Sequence, residues 1–335
     1  MQKIKLSTML STMRRSVTGM LILALTGCTA AGCGTVTDRI RFGAAGLGGM
    51  YHTFADTFSD IAQSDEDYKM EVKTTAGSAA NLRLLSENYV QLAIAQADLT
   101  NDAYYGTGIF EEKEYQGYSA IAGLYTEACQ IVVRDDSDIR SVDDLQGKKI
   151  SVGEEESGTE QNASQILAAY GMTDQLVDKV NLDYTEAASE LKDGEIDAFF
   201  CTAGIQTTVI GELAKQCGVR LLDLDEKGKD KLLKAYDFYT EYEIPAETYT
   251  GQTEPVETVG VKAVLLASDK LSEKTVENLT RTLFANEQEL QYSLSADIAL
   301  DETEAVEGIS VPFHKGAVKY YESAGVDVTT EKGSK

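Results

Sequence analysis

Short apolar runs alternate with amphipathic segments along most of the chain, and this alternation predicts an α/β fold. Phe54, Phe58 and Ile61 recur at helical spacing, which places them on one face of a helix over 50–62. The same pattern predicts the other elements of the first half: strands at 39–43, 69–74, 92–95, 120–124 and 128–133, and a helix at 79–86. The last two strands are expected to be separate, because residues 125–127 interrupt the apolar run.

The middle of the chain repeats this alternation. It predicts strands at 149–152, 196–200 and 219–222, a short extended segment at 183–184, and helices at 161–170, 186–192 and 206–216. Gly171 follows the first of these helices, at the position where a glycine commonly ends a helix. Two alternating sets of this kind indicate parallel strands that are covered by helices on both faces.

The last third of the chain predicts how the two sets are joined. A strand at 259–267 precedes helices at 272–289 and 317–324, which have no strands of their own to cover. The simplest arrangement returns the chain to the first set. We therefore expect two lobes with a ligand cleft between them at the strand ends: lobe I at 39–126 plus 258–335, and lobe II at 127–257.

The N-terminal segment predicts the compartment. Arg14 and Arg15 precede an apolar run at 17–25, which leads into Leu-Thr-Gly-Cys at 25–28, an order typical of a secretory signal. The run is much shorter than the roughly 20 residues that span a bilayer. It resembles a bacterial lipoprotein signal, so we expect 1–27 to be removed, Cys28 to be lipidated and 28–38 to tether an extracytoplasmic protein. A plain secretory signal cut nearby is the alternative.

The composition is strongly acidic, with 55 Asp and Glu against 30 Lys and Arg and a net charge of −25. Such a surface repels nucleic acid and anionic headgroups, so neither is an expected partner and the membrane is reached only through the lipid anchor. Cys201 and Cys217 could pair in an oxidising compartment, although their spacing does not decide it. Cys129 lies in an apolar strand and is expected to be a buried thiol.

Three strand–turn–helix junctions carry the candidate chemistry. Each places glycine or hydroxyl residues between an apolar strand and a helix, at 41–51, 72–81 and 150–159. The first N–H groups of a helix lack partners within it and that end is positive, so such turns can hold a carboxylate or phosphate. A hydroxyl there can equally be an ordinary helix cap. Three such turns in one chain predict a pocket for a small anion.

Candidate ligand-binding residues lie at these turns and at nearby strand ends. Ser157 and Thr159 open a helix of lobe II and would face lobe I across the cleft. Asp98 follows a strand end, where it could accept a ligand ammonium, and Tyr125 could cover the ligand from the crossing between the lobes. The full set is Tyr51, Gly77, Ser78, Asn81, Gln96, Asp98, Tyr125, Ser157, Gly158, Thr159, Ala203 and Gly204.

The sequence shows no set of residues with the spacing of a known catalytic site. The two histidines, His52 and His314, are too few for a His-based metal site, and no nucleophile stands at motif spacing from them. The turn at 46–51 fails the dinucleotide-binding fingerprint at its last glycine. We therefore expect no enzymatic activity, no metal and no cofactor.

A set of short motifs, in a fixed order, resembles one family of solute-binding lipoproteins. The motifs lie at 48–51 (GGMY), 77–82 (GSAANL), 92–98 (LAIAQAD), 147–153 (GKKISVG), 157–160 (SGTE), 194–200 (GEIDAFF), 244–252 (IPAETYTGQ) and 311–317 (VPFHKGA). Together they make the chain similar to the TAXI type, the extracytoplasmic receptor of a subclass of TRAP transporters. Three acids at 154–156 stand beside a presumed anion-binding turn, where this family tends to be uncharged.

The resemblance implies a periplasmic-binding-protein-like fold of type II. Its two α/β lobes would close on a small organic acid, commonly glutamate or a related dicarboxylate, and then dock on the integral membrane subunits of the transporter. The alternatives are a receptor of the same fold for an ABC importer, a ligand-sensing surface lipoprotein, and an enzyme built on this fold.

Overall fold

The computed structural model describes residues 39–66, 68–294 and 300–328. The predicted signal, Cys28 and the tether lie outside the described residues. The strands are β1 (Ile40–Gly43), β2 (Met70–Lys73), β3 (Leu92–Gln96), β4 (Tyr118–Arg134), β5 (Lys149–Ser151), β6 (Asp178–Val180), β7 (Ala198–Ala203), β8 (Val219–Leu221), β9 (Tyr239–Ile244) and β10 (Val256–Ser268). The α-helices are α1 (Met50–Glu66), α2 (Ser78–Ser86), α3 (Ala97–Tyr105), α4 (Gly158–Ala169), α5 (Tyr184–Asp193), α6 (Thr208–Cys217), α7 (Glu226–Ala235), α8 (Glu273–Ala285), α9 (Glu287–Leu294) and α10 (Lys315–Ala324).

The described strands form one mixed sheet in the order β2-β1-β3-β10-β4-β7-β5-β6, with β8 also paired to β4 and β9 to β10. The strands β1, β2 and β3 are parallel, as are β5, β6 and β7. The two long strands β4 and β10 are antiparallel to each other and to the strands beside them. They connect the two parallel sets, so the α/β prediction is confirmed, whereas the expectation of parallel sheets alone misses these central antiparallel strands.

Residues 125–127 do not break the strand that crosses between the sets. Thr126, Glu127 and Ala128 pair in register with β10, so the hydrogen-bonded ladder continues through them. The prediction of two separate strands at 120–124 and 128–133 is therefore wrong. Glu127 is a charged residue type within the apolar run, and it therefore suggests a break in the strand. In the structure its carboxyl is buried and accepts a hydrogen bond from Tyr51.

Other differences from the expected elements are local. The predicted helix at 272–289 is two helices, α8 and α9, separated at Asn286. Asp183 is extended, as predicted, but it caps α5, which already begins at Tyr184. The elements β6, β9, α3 and α7 were not predicted.

Buried side chains form three clusters on this sheet. The first draws on residues between 40 and 124 and between 263 and 321, while the other two draw on residues between 128 and 261. Along β4, Ile131 belongs to the second cluster and Val132 to the third, because successive side chains of a strand point to opposite faces. Helices therefore cover both faces of the sheet in residues 128–261.

The cysteines in the described part of the chain are free. Cys129 and Cys201 are buried and Cys217 is partly buried, and no disulfide joins Cys201 to Cys217. The prediction of a buried thiol at Cys129 is confirmed. Within the same described ranges, no helix combines the length and the hydrophobicity needed to cross a bilayer.

Candidate functional site

A cavity of about 50 Å³ lies where the three strand–turn–helix junctions meet. The first two junctions follow β1 and β2 of one parallel set, and the third follows β5 of the other. We call this space the head cavity, and its lining consists of Ala45, Gly46, Gly49, Met50, Tyr51, Ala76, Gly77, Ser78, Gln96, Glu127, Glu154, Ser157, Gly158, Thr159, Asp183, Tyr184, Thr202 and Ala203. The fold thus brings helix starts that are distant in sequence to one point between the lobes.

The starts of α2 and α4 are in direct contact across the cleft. Gly77 has a φ of +127°, and a Cβ at this position would lie 3.3 Å from Cα of Ser157. Glycine is required here on two grounds, because the backbone conformation disfavours other residues and the approach of lobe II leaves little room for a side chain. Substitution would disturb both the turn and the closure of the lobes.

The two helix starts differ in the donors that they leave free. The N–H groups of Ala79 and Ala80 in α2 donate to the carbonyl of Glu156 in lobe II, at 3.1 and 3.3 Å. In α4, the N–H groups of Gly158 and Thr159 meet no acceptor among the described residues. An anion in the head cavity would therefore find free backbone donors at the start of α4, whereas those of Ala79 and Ala80 are already engaged.

Hydroxyl groups hold the start of α4 in place. Ser157 accepts a hydrogen bond from the N–H of Glu160 at 3.0 Å, as an N-cap does. Oγ1 of Thr159 lies 2.6 Å from the hydroxyl of Tyr184 and accepts the N–H of Thr202 at 3.2 Å. These side chains position the helix against β7, and the hydroxyl of Tyr184 then donates to the carbonyl of Thr202 at 3.0 Å.

The carboxyl of Glu127 lies at the back of the head cavity. It is 3% exposed and accepts a hydrogen bond of 2.6 Å from the hydroxyl of Tyr51. Burial raises the pKa of Glu127 to about 8, with a further increase from the nearby Asp98. Burial and the charge of Glu127 also raise the pKa of Tyr51 well above its ordinary value. In the ligand-free protein, Glu127 is therefore largely protonated at neutral pH.

Polar side chains also link the lobes beside the cavity. Nε2 of Gln96 donates to Asn162 at 3.0 Å, and Asn162 donates to the hydroxyl of Tyr239 at 2.8 Å. Oε1 of Gln96 is buried and has no hydrogen-bond partner in the described chain. Because a buried acceptor without a partner is unfavourable, a ligand donor that reached it would be stabilised.

The structure separates the predicted site residues into three groups. Those that line the head cavity are Tyr51, Gly77, Ser78, Gln96, Ser157, Gly158, Thr159 and Ala203. Tyr125 and Gly204 line a larger neighbouring cavity of about 430 Å³. Asn81 and Asp98 lie outside the lining of both cavities.

Asn81 was predicted to bind ligand oxygens, but its side chain forms hydrogen bonds with other residues of the protein. Its side chain is fully buried and donates to the carbonyls of Ala44 at 2.5 Å and Ile94 at 2.8 Å, while it accepts from Thr75 at 2.7 Å. It therefore joins β1 to β3 beneath the turn. The carboxyl of Asp98 has one buried oxygen without a hydrogen-bond partner in the described chain, and burial raises its pKa to about 7.

Several lining residues were not predicted from the sequence. Glu127, Glu154 and Asp183 add three carboxyl groups, and the lining of the head cavity contains no Lys or Arg. The pKa of Glu154 is raised by partial burial and by the nearby carboxylates of Asp183 and Glu186. The run of acids at 154–156 was the sequence signal that could have identified Glu154. Among the described residues, no group of three His, Cys, Asp or Glu side chains could hold a metal ion.

Solved structures with a similar fold include PhnD1 and BugD. The chain aligns with PhnD1 from Prochlorococcus marinus, solved in complex with methylphosphonate, at 11% identity over 86% of this chain and 99% of that one, with a TM-score of 0.53. The periplasmic binding protein BugD aligns at 12% identity over 86% and 98%, with a TM-score of 0.55. At these identities the likeness establishes the fold, and it confirms the periplasmic-binding-protein-like architecture.

A comparison with family sequences covers nearly the same region. The sequence model of the NMT1-like family matches residues 42–325. The chain therefore belongs to the NMT1-like family, and its fold is that of periplasmic binding proteins.

Proposed function

We propose that this protein is the lipid-anchored extracytoplasmic receptor of a TRAP-type transporter and that it captures a small organic acid such as glutamate between its lobes. The observation that carries the proposal is the head cavity, where free N–H groups of α4 stand opposite the carboxyl of Glu127. Lipidation of Cys28 would keep the receptor at the membrane, where its transporter subunits lie.

The charges of the head cavity select among organic acids. A ligand carboxylate is stabilised at the start of α4 by the N–H groups of Gly158 and Thr159. A dicarboxylate without a positive group would place a second negative charge near the carboxylates of Glu154 and Asp183, with no Lys or Arg in the lining. An amino acid avoids this repulsion, because its ammonium can face these carboxyl groups. We therefore favour glutamate over dicarboxylates that lack an amine.

Closure of the lobes provides the signal to the transporter. The strands β4 and β10 pass between the lobes, so a small change in their twist would move lobe II relative to lobe I. Contacts of Ala79 and Ala80 with Glu156 form only when the starts of α2 and α4 meet. A ligand that bridges the two lobes favours this closed form, and the membrane subunits would bind the surface that closure creates.

A second candidate is a receptor for an ABC importer. One structure of the same fold, a putative L-cystine ABC transporter from Listeria monocytogenes, aligns at 15% identity over 78% of this chain and 98% of that one, with a TM-score of 0.50. The two candidates share the ligand-binding step and differ in the membrane partner. Co-purification with cross-linked membrane subunits distinguishes them, since an ABC importer brings an ATPase and a TRAP transporter does not.

Calorimetric titration of the purified protein tests the ligand class. We expect saturable binding of glutamate and at least tenfold weaker binding of succinate, which carries two carboxylates and no amine. Glu127→Gln should weaken glutamate binding, since an ammonium loses a carboxylate partner, and Glu195→Gln on the exposed surface serves as the matched control. Absence of binding to any amino acid, or succinate binding as tightly as glutamate, would refute the proposed ligand class.

A further inference from the structure

A second and larger cavity adjoins the head cavity between the lobes. It has a volume of about 430 Å³, and its lining combines the crossing strand β4 at Tyr125, the turn after β7 at Gly204 and Ile205, and Lys262 of β10. We call it the tail cavity. Met50 belongs to the lining of both cavities, so its side chain borders each of them.

Gly204 lies beside the side chain of Met50, where the two cavities meet. A Cβ at Gly204 would overlap the thioether end of Met50 and would lie 3.6 Å from the ring of Tyr125. The side chain of Met50 therefore occupies the space that any larger residue at 204 would need. Because methionine is unbranched and has three rotatable bonds, it can leave such a position more easily than a branched or aromatic residue.

The volume of the head cavity limits what it can hold alone. One water-sized group needs roughly 10–15 Å³, so a cavity of about 50 Å³ accommodates only a few such groups. This matches the carboxylate, α-carbon and ammonium of an amino acid and leaves little room for a side chain. A ligand such as glutamate requires additional space, and the nearest is the tail cavity behind Met50.

The polar groups around the tail cavity indicate the side chain that it would accept. The hydroxyl of Tyr125 is buried and has no hydrogen-bond partner among the described residues. Lys262 donates to the backbone carbonyls of Glu304 at 3.2 Å and Glu307 at 2.8 Å, and the lining also includes the carboxyls of Glu243 and Asp301. A polar side chain can exchange hydrogen bonds here, whereas an apolar one would leave the hydroxyl of Tyr125 without a partner.

We infer that Met50 is a movable wall and that the side chain of the bound amino acid extends past it into the tail cavity. This inference rests on the proposed function, because it assumes an amino acid head in the head cavity. Met50 then determines which ligand lengths are accepted, and the ligand class is that of α-amino acids with extended polar side chains. Short amino acids use the head cavity alone and do not require Met50 to move.

Titration of three proteins with a series of amino acids tests this inference. The series is alanine, glutamate and 2-aminoadipate, and the proteins are the wild type, Met50→Ala and Met70→Ala. Removal of the Met50 side chain joins the cavities, whereas Met70→Ala removes the same side chain from β2, outside the lining of both cavities, and is the matched control. We expect Met50→Ala to improve the affinity for 2-aminoadipate relative to alanine at least tenfold, and Met70→Ala to leave this ratio within twofold of the wild type.

The outcomes separate this inference from the proposed function. If the wild type binds amino acids but the ratio is unchanged in Met50→Ala, or changes equally in Met70→Ala, the movable wall is refuted and the ligand class stands. If none of the three proteins binds any member of the series, both are refuted. Binding of glutamate and 2-aminoadipate by Met50→Ala but not by the wild type would show that Met50 does not move, and it would refute both the movable wall and glutamate as the ligand of the wild type. Circular dichroism spectra of the three proteins check that each is folded.

Discussion

Replacement of Glu127 by Gln is expected to remove a pH dependence from the stability of the ligand-free protein. Burial raises the pKa of Glu127 from 4.5 to about 8 in the folded state. In the unfolded chain the carboxyl is solvated and ionises near its ordinary pKa. Between these two values the folded protein binds one more proton than the unfolded chain, so its stability falls as the pH rises.

The size of this effect follows from proton linkage. One extra proton in the folded state lowers the free energy of unfolding by about 1.4 kcal/mol for each pH unit of increase. From about pH 5 to about pH 7, Glu127 therefore accounts for a loss of about 2–3 kcal/mol. Its contribution is fully present below its unfolded pKa of 4.5 and is lost as the pH rises to about 8. Asp98, whose pKa burial raises to about 7, adds a similar slope that remains in the variant.

Urea unfolding at a series of pH values measures this slope. The free energy of unfolding of Glu127→Gln should fall less steeply than that of the wild type, by about 1 kcal/mol or more per pH unit near pH 6. The variant should fold, because Gln can still accept the hydrogen bond that Tyr51 donates at 2.6 Å. Glu195→Gln, at an exposed position, should follow the wild type. Equal slopes in Glu127→Gln and the wild type would refute a protonated Glu127 in the folded state.

Three further substitutions test the construction of the site. Asn81→Leu should lower the free energy of unfolding by about 2–4 kcal/mol, because it leaves buried carbonyls without donors, and an unchanged urea midpoint would contradict this. Ser157→Ala should cost about 1 kcal/mol through loss of the N-cap of α4, and Ser157→Thr should restore most of that in the same assay. Gly77→Ala should cost about 1–3 kcal/mol and weaken ligand binding, because it strains the turn and separates the lobes. Gly211→Ala, in α6 with open space around it, is the matched control, and similar effects of the two glycine variants would contradict the role of Gly77.

The convergence of the helix starts could be predicted from local sequence patterns. The turns at 72–81 and 150–159 have the composition that a strand–turn–helix junction needs, and parallel strands bring such junctions to one edge of a sheet. The structure places Gly77 against Ser157 in this way. Local patterns sufficed because the turn residues and the helix caps are determined by their immediate neighbours.

The acidic part of the site could not be predicted in the same way. Glu127 lies within a strand, where a charged residue usually indicates a solvent-exposed position or a break. Its burial depends on Tyr51, which is 76 positions away in the chain, and on the pairing of β4 with β10. The short strands β6 and β9 were missed for a related reason, since edge strands with exposed polar residues lack a clear apolar pattern. These features depend on contacts between residues that are far apart in the chain. The local pattern of a single sequence does not reveal such contacts.

A crystal structure of the protein grown with glutamate would test most directly whether the helix starts of both lobes hold one small metabolite. We expect density for the amino acid head in the head cavity, with its carboxylate on the N–H groups of Gly158 and Thr159 and its ammonium toward Glu127. Density in a different crevice, or an empty head cavity at saturating glutamate, would contradict the proposed binding mode.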